Sequence, residues 1–390
     1  MAHLTRPERY NIEDSNIALL GSDLEKRVRE HAGDKEPAWE DAGKEPGLKV
    51  WRIENFHVVP WPEKQYGMFY DGDSYIVLHT YKKSPDSDAL AYNLHFWLGQ
   101  DTSQDEAGTA AYKTVELDDH LQGAPVQYRE VQDNESPHFL SYFSRFQCLK
   151  GGVSTGFHHV TEPPPLELNR LYKISASKFR SHVALIIREV APEPSSLVKG
   201  DVFVLDKGTK ILQFNTKASV GKEKFKAAEF VQSLVSARQG QCDVTVYDEG
   251  GQGAGVFLSE FGEGVASLKS PEEGNTIHTE SDAISGPVLL RLSDATGTVT
   301  FEQVEPASFS SLSSSDAFLL DHSSDRESPA VYVWLGKDSS LNERRLAPQY
   351  AQKYIYDKVS AGGSSRRSAI PIVRMREGDE DETFLEVMNR

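Results

Sequence analysis

"HFWLGQDTSQDEAG" (His95–Gly108) and "YVWLGKDSSLNE" (Tyr332–Glu343) write one pattern twice. An apolar run ends in Trp-Leu-Gly, a polar stretch follows, and a glutamate stands nine positions after the tryptophan (Trp97 to Glu106, Trp334 to Glu343). The apolar, aromatic run reads as a strand, the glycine as a turn, and Ser-x-x-Glu as a helix start. A fainter copy runs "ILQFNTKASVGKEKF" (Ile211–Phe225), with Phe214 in place of the tryptophan and Glu223 again nine positions on.

Working outward, each copy is preceded by a strand that opens on an aspartate: Asp73, Asp201 and Asp316. From these to the aromatic residue the distance varies (24, 13 and 18 positions), as a hairpin loop of free length allows. Downstream, Phe225, Ala228, Val231, Leu234 and Val235 fall at the helical period, as do Leu346, Tyr350, Ala351 and Tyr354, which predicts a long helix packed on each sheet. The chain is therefore read as three repeats of one α/β (α+β) unit, over 48–160, 166–270 and 285–390. Their linkers are "TEPPPLE" and "SPEEGNTIHTESDAISG". Residues 1–47 form a charged extension with one short helix near a Ser22–Glu25 capping box.

Composition narrows the function. Hydrophobic content of 38% with 10% aromatics is globular, and no run approaches the roughly 18 apolar residues of a membrane span. The N-terminus lacks a signal-peptide core, which points to the cytosol and to reduced thiols at Cys148 and Cys242. A formal charge of -17 argues against a nucleic-acid partner. Phosphate-loop, dinucleotide and zinc-protease motifs are absent. The G-x-S-x-G around Ser154 runs into "FHHVTEPPP", which no nucleophile elbow tolerates, so no enzyme is expected.

The recurring carboxylates have two readings. Ser103 with Glu106 and Ser340 with Glu343 fit a capping box; in the middle copy Val220 replaces the serine, so capping leaves Glu223 unexplained. The other reading is a ligand pair: an aspartate at a strand start and a glutamate in the first helical turn. Oxygen donors without His or Cys point to a hard cation, calcium or magnesium.

"GLKVWRIENFHVVPWPEKQYGMFYDGDSYIVLHTY" (Gly47–Tyr81), the stretch Leu94–Phe143, and "KGGVSTGF" (Lys150–Phe157) closely resemble the first repeat of the gelsolin/villin superfamily. Three repeats, with "NIALLGSDL" near the start and "PIVRMREGDEDETF" near the end, look most like its severin and fragmin type. The resemblance implies a mixed sheet between a long and a short helix in each repeat. It implies calcium-activated severing of actin filaments and capping of their barbed ends in the cytoplasmic actin cytoskeleton, with nucleation as a further property. The alternative is a calcium-dependent capper or bundler that does not sever.

Carried over by position, the resemblance implies four calcium sites: Gly72, Asp73, Glu106 and Val153; Gly200, Asp201, Glu223 and Glu273; Ser315, Asp316 and Glu343; and an actin-shared site of Asp118 with the carbonyls of Gly123 and Pro125. It places actin contacts at Gly108, Tyr112, Asp118, Phe157, Lys222, Lys224 and Lys226, and phosphoinositide contacts at Lys150, Arg170, Lys173, Lys178 and Arg180.

Overall fold

The computed structural model describes residues 36–84, 88–153, 168–179, 182–262, 268, 286–293, 300–325, 329–361 and 370–389. Unit 1 contributes β1 (Gly47–Glu54), β2 (His57–Pro60), β3 (Met68–Tyr70), β4 (Ser74–Lys82), β5 (Leu90–Leu98), the long helix α1 (Gln104–His120), β6 (Val126–Val131), the short helix α2 (Pro137–Ser141) and β7 (Arg145–Leu149). Unit 2 contributes β8 (Arg170–Phe179), β9 (His182–Val190), β10 (Val202–Asp206), β11 (Lys210–Asn215), α3 (Gly221–Ala237), β12 (Asp243–Asp248) and α4 (Ala254–Ser259). Unit 3 contributes β13 (Val288–Ser293), β14 (Thr300–Val304), β15 (Ala317–Asp321), β16 (Val331–Leu335), α5 (Leu341–Ala361), β17 (Ile372–Arg376) and α6 (Glu382–Met388).

The strand orders β2-β1-β4-β5-β6, β9-β8-β10-β11-β12 and β14-β13-β15-β16-β17 are the same order three times. In each unit the last pair is parallel, bridged by the long helix, and the other pairs are antiparallel. Three five-stranded mixed units, each between a long and a short helix, bear out the expected class.

The aromatic residue of each motif faces the short helix. Trp97 packs with Phe139 and Leu140 of α2, Phe214 with Phe257 of α4, and Trp334 with Phe384 of α6. The two indoles also donate N–H to a carboxylate just ahead of the short helix, Glu135 at 3.1 Å and Glu380 at 2.8 Å, which satisfies a buried donor. The opposite face packs against the long helix, through Ala110 and Leu117 in unit 1 and Ala227, Phe230 and Val231 in unit 2.

Three expectations change. Residues 36–47 belong to unit 1: Trp39 and Ala42 are buried in its core, Trp39 stacks edge-on against Trp51 at 5.0 Å, and its indole binds Glu116 of α1 at 2.9 Å. The units are not separate bodies either. β7 leaves the unit 1 sheet and pairs in parallel with β9, bringing β3 with it, so unit 2 sits in a seven-stranded sheet. β17 pairs antiparallel with β6, joining units 1 and 3 into one ten-stranded sheet. Third, Phe225 and Ala228 point away from the sheet. Phe225 is 63% exposed, because the inward stripe of α3 runs through Ala227, Phe230 and Val231, about 160° around the helix from Phe225. The extension's predicted short helix lies outside the described residues.

Candidate functional site: the strand-opening aspartates

The turn that opens β4 brings distant parts of unit 1 together. Asp73 is fully buried, and its Oδ1 accepts the Val153 amide at 2.8 Å. Its Oδ2 accepts the Tyr75 hydroxyl at 3.2 Å and faces the Arg52 guanidinium at 3.5 Å. Burial pushes the Asp73 carboxyl up; the Val153 amide and Arg52 pull it down, and the nearby Glu106 charge raises it again. The aspartate and the helix-start glutamate are thus electrostatic neighbours. The backbone is drawn in tightly around them. A Cβ at Gly152 would strike Asp73 Oδ1, and one at Gly72 would strike the Gly151 carbonyl, so both positions need glycine for close approach.

The same economy explains the repeated Trp-Leu-Gly. The Gly99 amide donates to the Asp73 carbonyl at 3.0 Å, and the Gly336 amide to the Asp316 carbonyl at 3.1 Å. A Cβ at Gly99 would collide with the Asp71 carbonyl, and one at Gly336 with the Ser314 carbonyl. In unit 2 Thr216 replaces the glycine, and its hydroxyl donates to the Asp201 carbonyl at 2.8 Å. Gly99→Ala is therefore expected to destabilise unit 1 by about 1–3 kcal/mol, the usual range for forced overpacking, read as a lower denaturant midpoint.

The glutamates also cap. Glu106 Oε2 accepts the Ser103 amide at 3.4 Å and its hydroxyl at 3.2 Å, and Glu343 Oε2 accepts the Ser340 amide at 2.9 Å. Glu223 accepts the Val220 amide at 3.0 Å. This corrects the sequence argument: the glutamate half of the box needs only a backbone N–H, so a valine at the cap position does not exempt Glu223 from capping. Capping thus accounts for a contact of the glutamate at all three positions.

Units 2 and 3 are arranged differently around their aspartates. Asp201 pairs with Lys173 Nζ at 3.1 Å; burial raises its carboxyl and Lys173 offsets this. Glu223 for its part accepts the Val220 amide. Asp316 Oδ2 accepts the Ser315 hydroxyl at 3.1 Å. Among the described residues no three His, Cys, Asp or Glu side chains converge. The donor set is two carboxylates per unit plus close backbone, and in units 1 and 2 a cationic side chain stands against the aspartate. The oxygen donors and the glycine-lined space are of the kind a hard cation takes, whereas the cationic side chains at Asp73 and Asp201 oppose one.

Comparison with known proteins gives these units a family. The gelsolin-repeat model matches residues 55–140 and 300–385, the first and third units. Gelsolin-like protein 1 of Lumbricus terrestris is 42% identical over 339 residues, covering 86% of both chains. The chain belongs to the gelsolin-repeat family. Severin of Echinococcus granulosus is 36% identical, covering 91% of this chain and 92% of its own, and cytoplasmic gelsolin of Homarus americanus is 39% identical over 83% of this chain and 42% of its own. The second unit escapes the family model yet keeps the gelsolin-repeat strand order, with Phe214 and Val220 where its neighbours have Trp and Ser.

Within these gelsolin repeats the remaining expected residues fall as follows. Gly108 is exposed and Tyr112 is 43% exposed on α1. At the far end of that helix Asp118 is buried, with Arg374 at 3.5 Å and Arg376 at 3.8 Å, both on β17 of repeat 3. Gly123 and Pro125 are buried, and the Arg376 guanidinium lies directly against Gly123. The fourth expected site is thus covered by repeat 3. Lys222 is exposed and Lys224 half-buried, while Lys226 pairs with Glu229 at 2.6 Å.

The basic strand is committed elsewhere: Arg170 to Glu189 at 3.7 Å, and Lys173 to Asp201. Lys150 sits at the edge of the Asp71 turn, its amide donating to Glu189 at 3.3 Å. Phe157, Arg180, Glu273 and the Lys178 side chain lie outside the described residues. Arg52, Arg374 and Arg376 were missed by sequence reasoning. Arg52 shares its place in the repeat with Lys173 and Arg291 ("VWRIE", "LYKIS", "LLRLS"), a signal that an alignment begun one strand earlier would have found.

Proposed function

We propose that this chain is a calcium-controlled actin-binding protein of the cytoplasmic actin cytoskeleton, which severs filaments and then caps their barbed ends. The observation that carries the reading is the clamp on Asp118 and Gly123. One end of the long helix of repeat 1 is open at Gly108 and Tyr112, and the other is held by two arginines of repeat 3. An actin-binding helix under such a clamp is inactive until the repeats part. The kinship with severin and gelsolin supports both the partner and the need for control.

Calcium supplies divalent charge to carboxylates that repel one another without it. Asp73 with Glu106, Asp201 with Glu223 and Asp316 with Glu343 each offer one aspartate and one glutamate, the latter freed for an ion if it gives up its cap. Actin then meets Gly108 and Tyr112 in the first repeat, while Lys222, Lys224 and the exposed Phe225 face the filament side in the second. No nucleotide chemistry and no lipid headgroup site is part of this reading, since Arg170 and Lys173 already answer carboxylates.

Fluorescent filaments fixed to a surface test it: breaks are expected in calcium and none in chelator. Capping without breaks would favour the non-severing alternative, and no effect on filaments in either condition would overturn the proposal. Glu106→Gln separates capping from ligation, because glutamine still accepts the Ser103 amide but loses the charge. Calorimetry is expected to count one calcium fewer with an unchanged helix signal; an unchanged count would leave Glu106 as a cap alone.

A further inference from the structure

Arg52 and Lys173 occupy one position of the repeat. Arg52 on β1 pairs in register with Tyr75, two residues after Asp73, and Lys173 on β8 pairs with Phe203, two residues after Asp201. Repeat 3 continues the rule, for Arg291 on β13 pairs with Phe318, two residues after Asp316. Cross-strand register puts all three cations on the same face, beside the strand-opening aspartate. Two of them use it, at 3.5 Å for Arg52 and 3.1 Å for Lys173. The third turns the other way and binds Glu302 at 2.7 Å.

We propose that Arg52 and Lys173 are resident counter-ions which a calcium ion must displace, so that they set the calcium threshold of repeats 1 and 2, while repeat 3 is free of this competition. The proposal rests on the calcium reading given above. An aspartate as buried as Asp73 is costly without a positive neighbour, and the tethered cation meets that need in the metal-free chain. When a divalent ion arrives the same cation becomes a liability. It repels the ion at short range, and its contact with the carboxylate must be broken first. Apparent affinity is then lowered by the strength of that contact.

Arg52 has somewhere to retreat. Its Nε donates to Glu54 at 2.7 Å, a second nitrogen binds the same carboxylate, and the guanidinium lies 4.6 Å from the centre of the Trp61 ring. Lys173 makes the shorter contact to its aspartate. Its removal is therefore the larger perturbation.

Lys173→Met, Arg52→Met and Arg291→Met, each in the full chain, are titrated with calcium chloride by calorimetry and melted in chelator. Lys173→Met is expected to tighten one calcium site about tenfold or more and Arg52→Met another about threefold, estimates that follow from removing one unit charge beside a divalent ion in a partly screened setting. Both are expected to melt lower in chelator and to gain more from calcium. Arg291→Met is expected to leave every site within about twofold. Lys173 is part-exposed on a different repeat from Arg52, so its variant stands as a test should Arg52→Met fail to fold. Unchanged affinities in Lys173→Met, or an equal shift in Arg291→Met, would overturn the proposal. Failure of the calcium reading looks different: the unmutated chain would bind as many ions as its Asp73→Asn and Asp201→Asn variants.

Discussion

Arg374→Glu is expected to part repeats 1 and 3 in the absence of calcium. Arg374 reaches across 256 residues to Asp118, whose side chain is 2% exposed, and burial lowers its own affinity for a proton except as Asp118 holds it up. Breaking a buried pair costs about 3–5 kcal/mol, and reversing the charge adds repulsion between two carboxylates in the same enclosed space. Around this pair the joint holds three register pairs between β17 and β6, from Ile372 with Arg129 to Arg374 with Gln127, the Tyr128–Asp381 hydrogen bond at 3.0 Å, Lys83 with Asp379 at 3.1 Å, and Val126 and Tyr128 packed in the same core as Tyr332, Val373 and Met375. Small-angle scattering in chelator should show a larger radius of gyration, and filament breaks should no longer require calcium. Arg376→Glu is the graded control. The Arg376 side chain is 38% exposed and lies 3.8 Å from Asp118, a longer and wetter contact than that of Arg374, so a smaller loss is expected. A compact Arg374→Glu chain that still needs calcium would show that this pair does not hold the repeats together.

The second large effect concerns stability. Trp39→Ala is expected to cost repeat 1 about 3–5 kcal/mol, the range for emptying a buried aromatic site. Trp39 is fully buried, its edge meets Trp51, and its indole N–H is one of two donors to the buried Glu116, the other being Lys113 at 3.0 Å. Trp39→Phe keeps the ring and loses only the donor, so it should fall between, by about 1–2 kcal/mol. Denaturant unfolding followed by tryptophan fluorescence reads both. A Trp39→Ala chain with the unmutated midpoint would return residues 36–47 to the status of a mere extension.

These two positions also mark what a sequence can carry. The nine-residue step from Trp97 to Glu106 was legible because both ends lie within one strand–turn–helix, where local geometry fixes spacing. The strand-opening aspartates were legible for the same reason. Arg374 and Asp118 were not, since nothing local ties a β17 arginine to the end of α1; only the assembled ten-stranded sheet does. Phe225 misled in a different way. An apolar residue at a helical period is read as core, but the side of α3 that packs on the sheet is the one through Ala227, Phe230 and Val231. Trp39 lay hidden because a charged stretch around a lone aromatic has the composition of an extension, and its burial depends on Glu116, 77 residues away.

The seam between β17 and β6 has one more bearing, on how the molecule behaves in a crowd. Each of those strands is internal only because the other lies beside it. An arrangement that parts them leaves two strand edges with bare amides and carbonyls, already matched to one another in length and side-chain pattern. Any two opened molecules then carry a donor and a receptor for each other, so repeat 3 of one can dock on repeat 1 of the next. On the proposed reading, the closed seam therefore also withholds these two edges from other molecules.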